Sequence, residues 1–526
     1  MAVAMTTFLT GSTTVIASFA GKDLHMTTAE ITWMNAASGL SSGATLLFFG
    51  SIADILGRKP LFIISTLLFS IFSLAAGFAQ NGITLDILSG ILGICSAAAV
   101  PPAQGMLGTI YKSPSRRKNR VFGCYLAGNP LGYAAGSLFS GIATNVMSWR
   151  AAFPLLAIVY VVVTVVACFV LPDDGGMRRS VDMDMVKRLD LPGMGMAGLG
   201  IGMFCAALSL GSTAPEGWKT PFVLVLLVLG VLGMVAFVVW EIWSPYAVID
   251  MGIWKDKNFS LLITIFVFGY TGFPILTFWL ALYFQKVLGF SALETGVHML
   301  PTVITGLLAN AFAALFLHKL SNKLLMGLGA FAYFFSYLLA AVQRHRDSYW
   351  AFSFPALCLS VVGVNFHFNV ANMYVISSMP SDRQSIAGSL LQTLSRLFTA
   401  IGYGIATAIF NGVEKNPAKE GYYAGNLFEP YAAPLWFGAA AAATGIMFVP
   451  WLRIGTQGHV DDEKNGDRDR KQGRGIEVLE RKEKQIKVEE LLALPRFSAF
   501  IVTGSWDDEK SRHIIRYREE EYITGY

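Results

Sequence analysis

The stretch Gly50-Ser51-Ile52-Ala53-Asp54-Ile55-Leu56-Gly57-Arg58-Lys59-Pro60 joins two apolar runs, residues 31–50 and 61–80. A bilayer crossing takes about 20 mostly apolar residues, so the pattern predicts two crossings joined by a tight, charged turn. Gly50 and Gly57 allow close backbone approach and a sharp reversal. Asp54 offers a carboxylate to a helix N-terminus or to basic loop residues, and Arg58 and Lys59 supply counter-charges. The same residues would also serve as a solvated basic turn that only sets topology.

Outward from this turn the alternation of apolar runs and short loops continues to Arg453. About fourteen windows of crossing length fit before that residue, and runs such as 160–170 lack the two-residue alternation of a membrane barrel. The chain has 526 residues, 54% hydrophobic and 14% charged, with a mean hydropathy of +0.52. Soluble domains carry about 25% charged residues, and the loops are too short for a soluble catalytic domain. The expected fold class is an all-α membrane protein. Beyond Arg453 the chain turns dense in charge, the composition of a largely disordered tail. Loops on the side of the first residue hold about twice the lysine and arginine of the opposite loops, dominated by Lys112, Arg116, Arg117, Lys118 and Arg120, which places both termini in the cytosol. The first segment has no charged leader, so no cleaved signal peptide is expected.

Several functions are excluded by what the sequence lacks. No GxxxxGK[ST] phosphate loop occurs, nor an HExxH motif, so neither ATP hydrolysis nor a zinc-hydrolase site is expected. Gly193, Gly195 and Gly198 formally satisfy GxGxxG, but they begin an apolar helix rather than follow a strand, and are read as small-residue helix packing. The five cysteines fall inside apolar windows without metal-type spacing and are read as small apolar packers. The net charge of +5 sits beside membrane segments, where anionic lipid is the natural neighbour, and no nucleic-acid module is present. No enzyme activity, cofactor or metal is expected.

The GxxxDxxGRK string resembles the signature between the second and third helices of the major facilitator superfamily. Gly128, Pro130, Gly132 and Gly136 resemble the GxxxGPxxGG-like helix of its antiporter branches, with Asn129 in place of a glycine. Small residues four apart let another helix approach, and Pro130 permits a kink. Residues 289–301 (GFSALETGVHMLP) and Leu189 to Gly193 resemble the starts of the tenth and seventh helices of the fourteen-span drug:proton antiporter family. Trp149, Arg150, Phe153 and residues 383–393 agree with it. The resemblance implies the major facilitator fold with fourteen transmembrane helices: six-helix halves at 1–171 and 259–453, two extra central helices within 172–258, and a cytoplasmic tail at 454–526. It further implies that Asp54 and Arg58 belong to a charge network locking the cytoplasmic side in one state, with alternating access to a central cavity.

The sequence departs from that pattern at the fourth helix, where Ser89 stands at the position of an arginine associated with proton coupling. Thr10 and Gly11 lie where the first helix often has an acid. Proton antiport is therefore implied by the family alone, and a different ionisable group would have to carry it. His367, flanked by Asn365 and Asn369, is a candidate for proton transfer or for a hydrogen-bonded packing role. Arg396 lies mid-span and should face a cavity or a partner. Asp86 and Glu241 sit near span ends, where they would snorkel. The expected function is a monomeric secondary exporter of a small organic compound (drug, toxin or secondary metabolite), driven by protons and surrounded by membrane lipid. Its expected location is the plasma membrane, with the vacuolar membrane as the alternative. Export of an inorganic solute such as borate, or a nontransporting sensor on the same scaffold, are the other expectations.

Overall fold

Each predicted crossing contains a helix. The computed structural model describes residues 1–110, 121, 124–171, 190–211, 214–244, 251–316, 320–377 and 384–454, and statements of absence below concern these residues. In chain order the helices are α1 (Ala2–Asp23), α2 (Thr28–Leu56), α3 (Arg58–Gly77), α4 (Gly82–Ile110), α5 (Gly128–Val146), α6 (Ala152–Val170), α7 (Leu191–Leu210) and α8 (Pro221–Trp243). Then come α9 (Lys257–Tyr270), α10 (Gly272–Lys286), α11 (Ala292–His298), α12 (Leu300–Phe316), α13 (Asn322–Val342), α14 (Ser353–Ser377), α15 (Gln384–Lys415) and α16 (Glu429–Phe448). Twelve spans are long and apolar enough to cross a membrane, counting α9 with α10 and α11 with α12 as single crossings. The remaining two windows hold α2 and α5, which are richer in Gly, Ser and Asn. The basic loop at 111–120 and the tail from 455 onward lie outside the described residues.

Packing sorts the helices into two groups. In one, α1 lies on α5, α2 on α4, and α3 on α4 and α6; in the other, α13 lies on α14 and α16, α12 on α14, and α15 on α16. The pair α7 and α8 sits beside them, with α7 against both α2 and α15, which also touch each other directly. Glycines make the closest crossings, since lipid gives helices no hydrophobic reason to associate and backbone proximity must supply the contact. A Cβ added at Gly136 would lie 2.2 Å from the Phe8 carbonyl oxygen, and one at Gly132 2.6 Å from that of Ala4. In the α7–α8 pair, Gly200 faces Gly233 and Gly230 faces Phe204. Of the three formal GxGxxG glycines, Gly198 packs on Ala44 of α2 at 3.1 Å, whereas an added Cβ at Gly193 would meet only Asp190 of its own cap and one at Gly195 no described residue within 4 Å. Helix α8 buries only Val223, Gly230 and Glu241, leaving a broad apolar face outward.

Two crossings are broken by proline. Pro274 and Pro301 each lack the N–H that would continue the helix, and α9/α10 and α11/α12 separate just before them. Tyrosine hydroxyls take up carbonyls at both breaks: Tyr337 donates to Gly269 (2.8 Å) and Tyr349 to His298 (2.7 Å). The start of α11 is fixed by a capping box in which Glu294 N–H donates to Ser291 Oγ (3.2 Å) and Ser291 N–H donates to the Glu294 carboxylate (2.8 Å). Gly289 precedes it at φ +72°, a left-handed turn suited to glycine.

The hydrophobic core differs between the two ends of the bundle. At the end away from the Gly57 turn, one cluster is continuous across both groups, joining Ile16 and Trp149 to Trp279, Tyr283 and Phe410. Toward the Gly57 end each group has its own cluster, one around Met5, Phe69 and Tyr160, the other around Phe259, Met326 and Tyr374. The joined end is reinforced by Gln285, whose amide donates to the Val15 carbonyl (2.8 Å) while its oxygen accepts from Ser18 N–H (3.1 Å). Gly141 and Gly296 bring α5 against α11 there, and Arg150 pairs with Asp23 at 3.0 Å.

Candidate functional site

Between the separate cores lies a cavity of about 190 Å³, with a second lobe of about 100 Å³ sharing part of its wall. Thr7, Tyr133, Tyr270, Phe273, Thr277 and Arg396 line both lobes. The larger lobe adds carboxamides from four helices: Asn129 of α5, Asn310 of α12, Asn365 and Asn369 of α14, and Gln392 of α15. The smaller adds Thr10, Asn35 and Ser38. The broken ninth crossing positions Tyr270 and Phe273 on either side of the interruption at Thr271, so the wall bends where the helix does.

The cavity wall is mostly apolar, with hydroxyls and carboxamides set into it and one fixed charge. Among the described lining residues no Asp, Glu, His or Lys occurs, and Arg396 is the charged side chain. Asn365 and Asn369 each give an amide hydrogen to a carbonyl one turn back, Val361 (2.9 Å) and Asn365 (2.8 Å) respectively, which points their chemistry toward acceptance through Oδ1. Asn35 accepts from the Thr13 hydroxyl (2.6 Å), and its Nδ2 has no partner among the described residues.

The sequence-selected residues divide between cavity and packing. Arg396, Asn365, Asn369, Asn129 and Pro130 come together on the wall. His367 does not line either lobe. It is buried between α14 and α13, its Nε2 is 2.9 Å from the Met326 carbonyl oxygen, and the Tyr333 ring stands edge-on at 5.1 Å. Of its two anticipated roles, packing describes these surroundings. Ser89 is buried with an unpartnered Oγ and lines neither lobe. Gly128, Gly132 and Gly136 face α1.

In the GxxxDxxGRK string, Gly57 turns the chain at φ +93°, and Arg58 donates to the Gly105 carbonyl at 3.0 Å, tying α3 to α4. Gly105 leaves the room, since its Cβ would sit 2.6 Å from Arg58 Nε. Lys59 is in the first turn of α3 and partly buried. The side chain of Asp54 lies outside the described residues. The close approach expected at Gly50 has no counterpart among the described residues, none of which lies within 4 Å of an added Cβ.

Other expectations need correcting. Glu241 does not snorkel: it is 3% exposed, enclosed in the last turn of α8. Asp86 is partly buried, with an Oδ1 that has no partner among the described residues. Cys95 and Cys205 are buried as expected, whereas Cys124 and Cys168 are exposed on outward faces. Asp190 was missed as a functional element of its motif. It caps α7 by accepting from Gly193 N–H (3.2 Å) and from Trp240 Nε1 (2.6 Å), fastening α7 to α8. A helix-start pattern of Asp followed by Pro was the available signal.

A helical bundle that is joined across one end and encloses a largely apolar cavity with a few convergent polar groups has the architecture of a membrane solute transporter. Residues 1–185 and 192–403 match the family model of the Major Facilitator Superfamily, and the chain belongs to that superfamily as a multi-pass membrane transporter. The low affinity ammonium transporter of Saccharomyces cerevisiae is 27% identical over 74% of this chain and 76% of its own length. The efflux pump terJ of Aspergillus terreus is 25% identical over 81% of this chain and 80% of its own length. Among solved structures, a peptide transporter POT aligns with a TM-score of 0.62 at 16% identity, covering 86% of this chain and 93% of that one, a likeness of fold alone.

Proposed function

We propose that the protein is a secondary exporter of a small organic compound, working by alternating access and belonging to the fourteen-span drug:proton antiporter branch. The observation that carries this reading is the unequal core: one hydrophobic cluster spans both helix groups at one end, while two separate clusters flank the cavity at the other. With both termini in the cytosol, as the basic loop residues favour, the joined end is the outer one and the conformation is inward-facing. Residues 1–171 and 259–453 then act as the two moving halves, with 172–258 carrying the accessory pair α7 and α8. Arg58 and Asp54 serve the cytoplasmic gate, and the glycines of α5 form the surface on which α1 slides.

Export is favoured over uptake of a cation by the charge of the wall. A small cation entering this cavity would meet Arg396 with no carboxylate beside it among the described lining residues. Protons remain the proposed coupling ion, and Asp86, one helical turn before Ser89 and with an unpartnered oxygen, is the proposed carrier. The test is efflux of a panel of labelled organic compounds from proteoliposomes with and without an inward proton gradient. Gradient-dependent export is expected. Export indifferent to the gradient would remove proton coupling, and absence of export across the panel would remove the exporter reading.

A further inference from the structure

Arg396 lies about 18 Å along α15 at 1.5 Å per residue, within the depth of the hydrocarbon layer. No hydrogen bond or ion pair joins its guanidinium to another described residue. Its backbone is held by α2: Cβ atoms added at Gly39 and Gly43 would lie 3.6 Å from its carbonyl oxygen and 3.0 Å from its own Cβ. The stem is thereby fixed while the side chain lines both lobes of the cavity. Tyr270 is its electrostatic neighbour on the wall, and a charge at membrane depth with no hydrogen-bond or ion-pair partner among the described residues is costly; such groups mark ligand pathways. A guanidinium offers five donors in a planar fork that matches a carboxylate. Across the larger lobe the Oδ1 atoms of Asn365 and Asn369 can accept, because an amide hydrogen of each is already committed to its own helix.

We propose that Arg396 is the anion-binding group of this cavity and that the cargo is a small organic acid carried as its anion. The carboxylate or phenolate meets the guanidinium, and hydroxyl or N–H groups of the same molecule donate to the carboxamide oxygens of Asn365 and Asn369. This assignment rests on the cavity being the cargo site of the proposed exporter. It has a consequence for energetics: with a permanently charged arginine and no acid on the described wall, binding neutralises the cavity without exchanging a proton at that position.

The test uses the full-length protein in lipid nanodiscs and calorimetric titration with matched probes of one skeleton: salicylate, salicylamide and 2-hydroxybenzylamine. Lactate and lactamide form a second pair. In the wild type, at least one of the two anions is expected to bind about tenfold or more tighter than its uncharged partner, the scale of a charge-assisted hydrogen bond. Arg396→Gln should abolish that preference, and Arg396→Lys should keep part of it. The Arg396→Gln protein should melt at or above the wild-type temperature, since the charge removed has no hydrogen-bond or ion-pair partner among the described residues; earlier melting would mark a structural arginine and overturn the proposal. Equal binding of anion and neutral partner in both pairs, or a preference that survives Arg396→Gln, would also overturn it. Loss of efflux with the Arg396-dependent preference intact would defeat the exporter reading while sustaining the anion site. Intact efflux with no charge preference would defeat the anion site alone.

Discussion

Replacing Gly136 by alanine tests the closest helix crossing in the molecule's first group. The new Cβ would lie 2.2 Å from the Phe8 carbonyl oxygen, 2.9 Å from its carbonyl carbon and 3.0 Å from its Cα. All three are backbone atoms, so no side chain can turn aside. To restore ordinary contact, α1 and α5 must part by about 1 Å, and overpacking of this sort costs about 1–3 kcal/mol. Parting also stretches the bond from Ser12 Oγ to the Gly136 carbonyl, already 3.3 Å, and disturbs the Ser140 to Ser12 hydroxyl bond at 2.8 Å, which costs about 1 kcal/mol more. Alanine regains about 1 kcal/mol of helix propensity over glycine. The net expectation is a loss of about 1–3 kcal/mol, read as a lower midpoint of thermal unfolding in detergent. Gly195→Ala is the control: nothing lies within 4 Å of its added Cβ, so only the propensity gain remains and the protein should melt at or above wild type. If Gly136→Ala melts with wild type, or if Gly195→Ala is the more damaging of the two, α1 and α5 are not in backbone contact and the packing account fails.

Three further outcomes follow from particular contacts. His367→Ala removes the bond to Met326 and leaves a void beside Tyr333, costing about 2–4 kcal/mol of stability, while the pH profile of transport should stay that of wild type; a shifted profile would restore His367 as a proton carrier. Gln285→Leu loses the bonds to Val15 and Ser18 across the joined end, so cysteines placed near Trp279 should react faster with a water-soluble maleimide, and unchanged labelling would show that Gln285 is no latch. Arg58→Ala breaks the α3–α4 tie to Gly105, and Asp54→Asn removes the proposed gate charge; both should reach the membrane yet export at a small fraction of the wild-type rate, and full activity in either would dismiss the gate.

The crossings were readable because each depends on a run of apolar residues, a property local in sequence. The same is true of the turn at Gly57, whose geometry follows from one glycine between two helices. Which side chains share a cavity was only half readable. Arg396 and Asn365 could be singled out as polar groups in apolar runs, and both line it, yet His367 meets that criterion equally and points into the α13–α14 contact instead. The difference lies in helical phase: His367 is two residues beyond Asn365, about 200° around the helix, and no pattern in α14 tells which face looks inward when small and polar residues occupy both. The ninth-segment aromatics show the same limit, since Tyr270 and Phe273 reach the cavity whereas Phe278 and Trp279 are buried in the joined core. The capping box at Ser291 and Glu294, by contrast, was present in the sequence as a Ser-x-x-Glu pattern.

The two proline breaks and the joined core bear on the same motion. An alternating-access cycle has to divide the cluster that now spans both groups and close the separation around the cavity, and packed cores switch between discrete arrangements more readily than they deform. The breaks at Thr271 and Met299 lie on the crossings that meet the first group, α10 against α1 and α11 against α5. Bending there lets α10 and α11 move with one group while α9 and α12 stay with the other. A broken helix exposes carbonyls to lipid depth, where an unsatisfied backbone group costs several kcal/mol. Tyr337 and Tyr349 donate to carbonyls beside the two breaks, and Thr302 N–H turns to the Met299 carbonyl at 3.1 Å. The hinges are therefore satisfied in the state with the joined end shut, and opening that end has to keep or replace those hydroxyl bonds. A hinge built this way is held by side chains that can rotate with it, whereas the α1–α5 contact, made of backbone against backbone, can only slide.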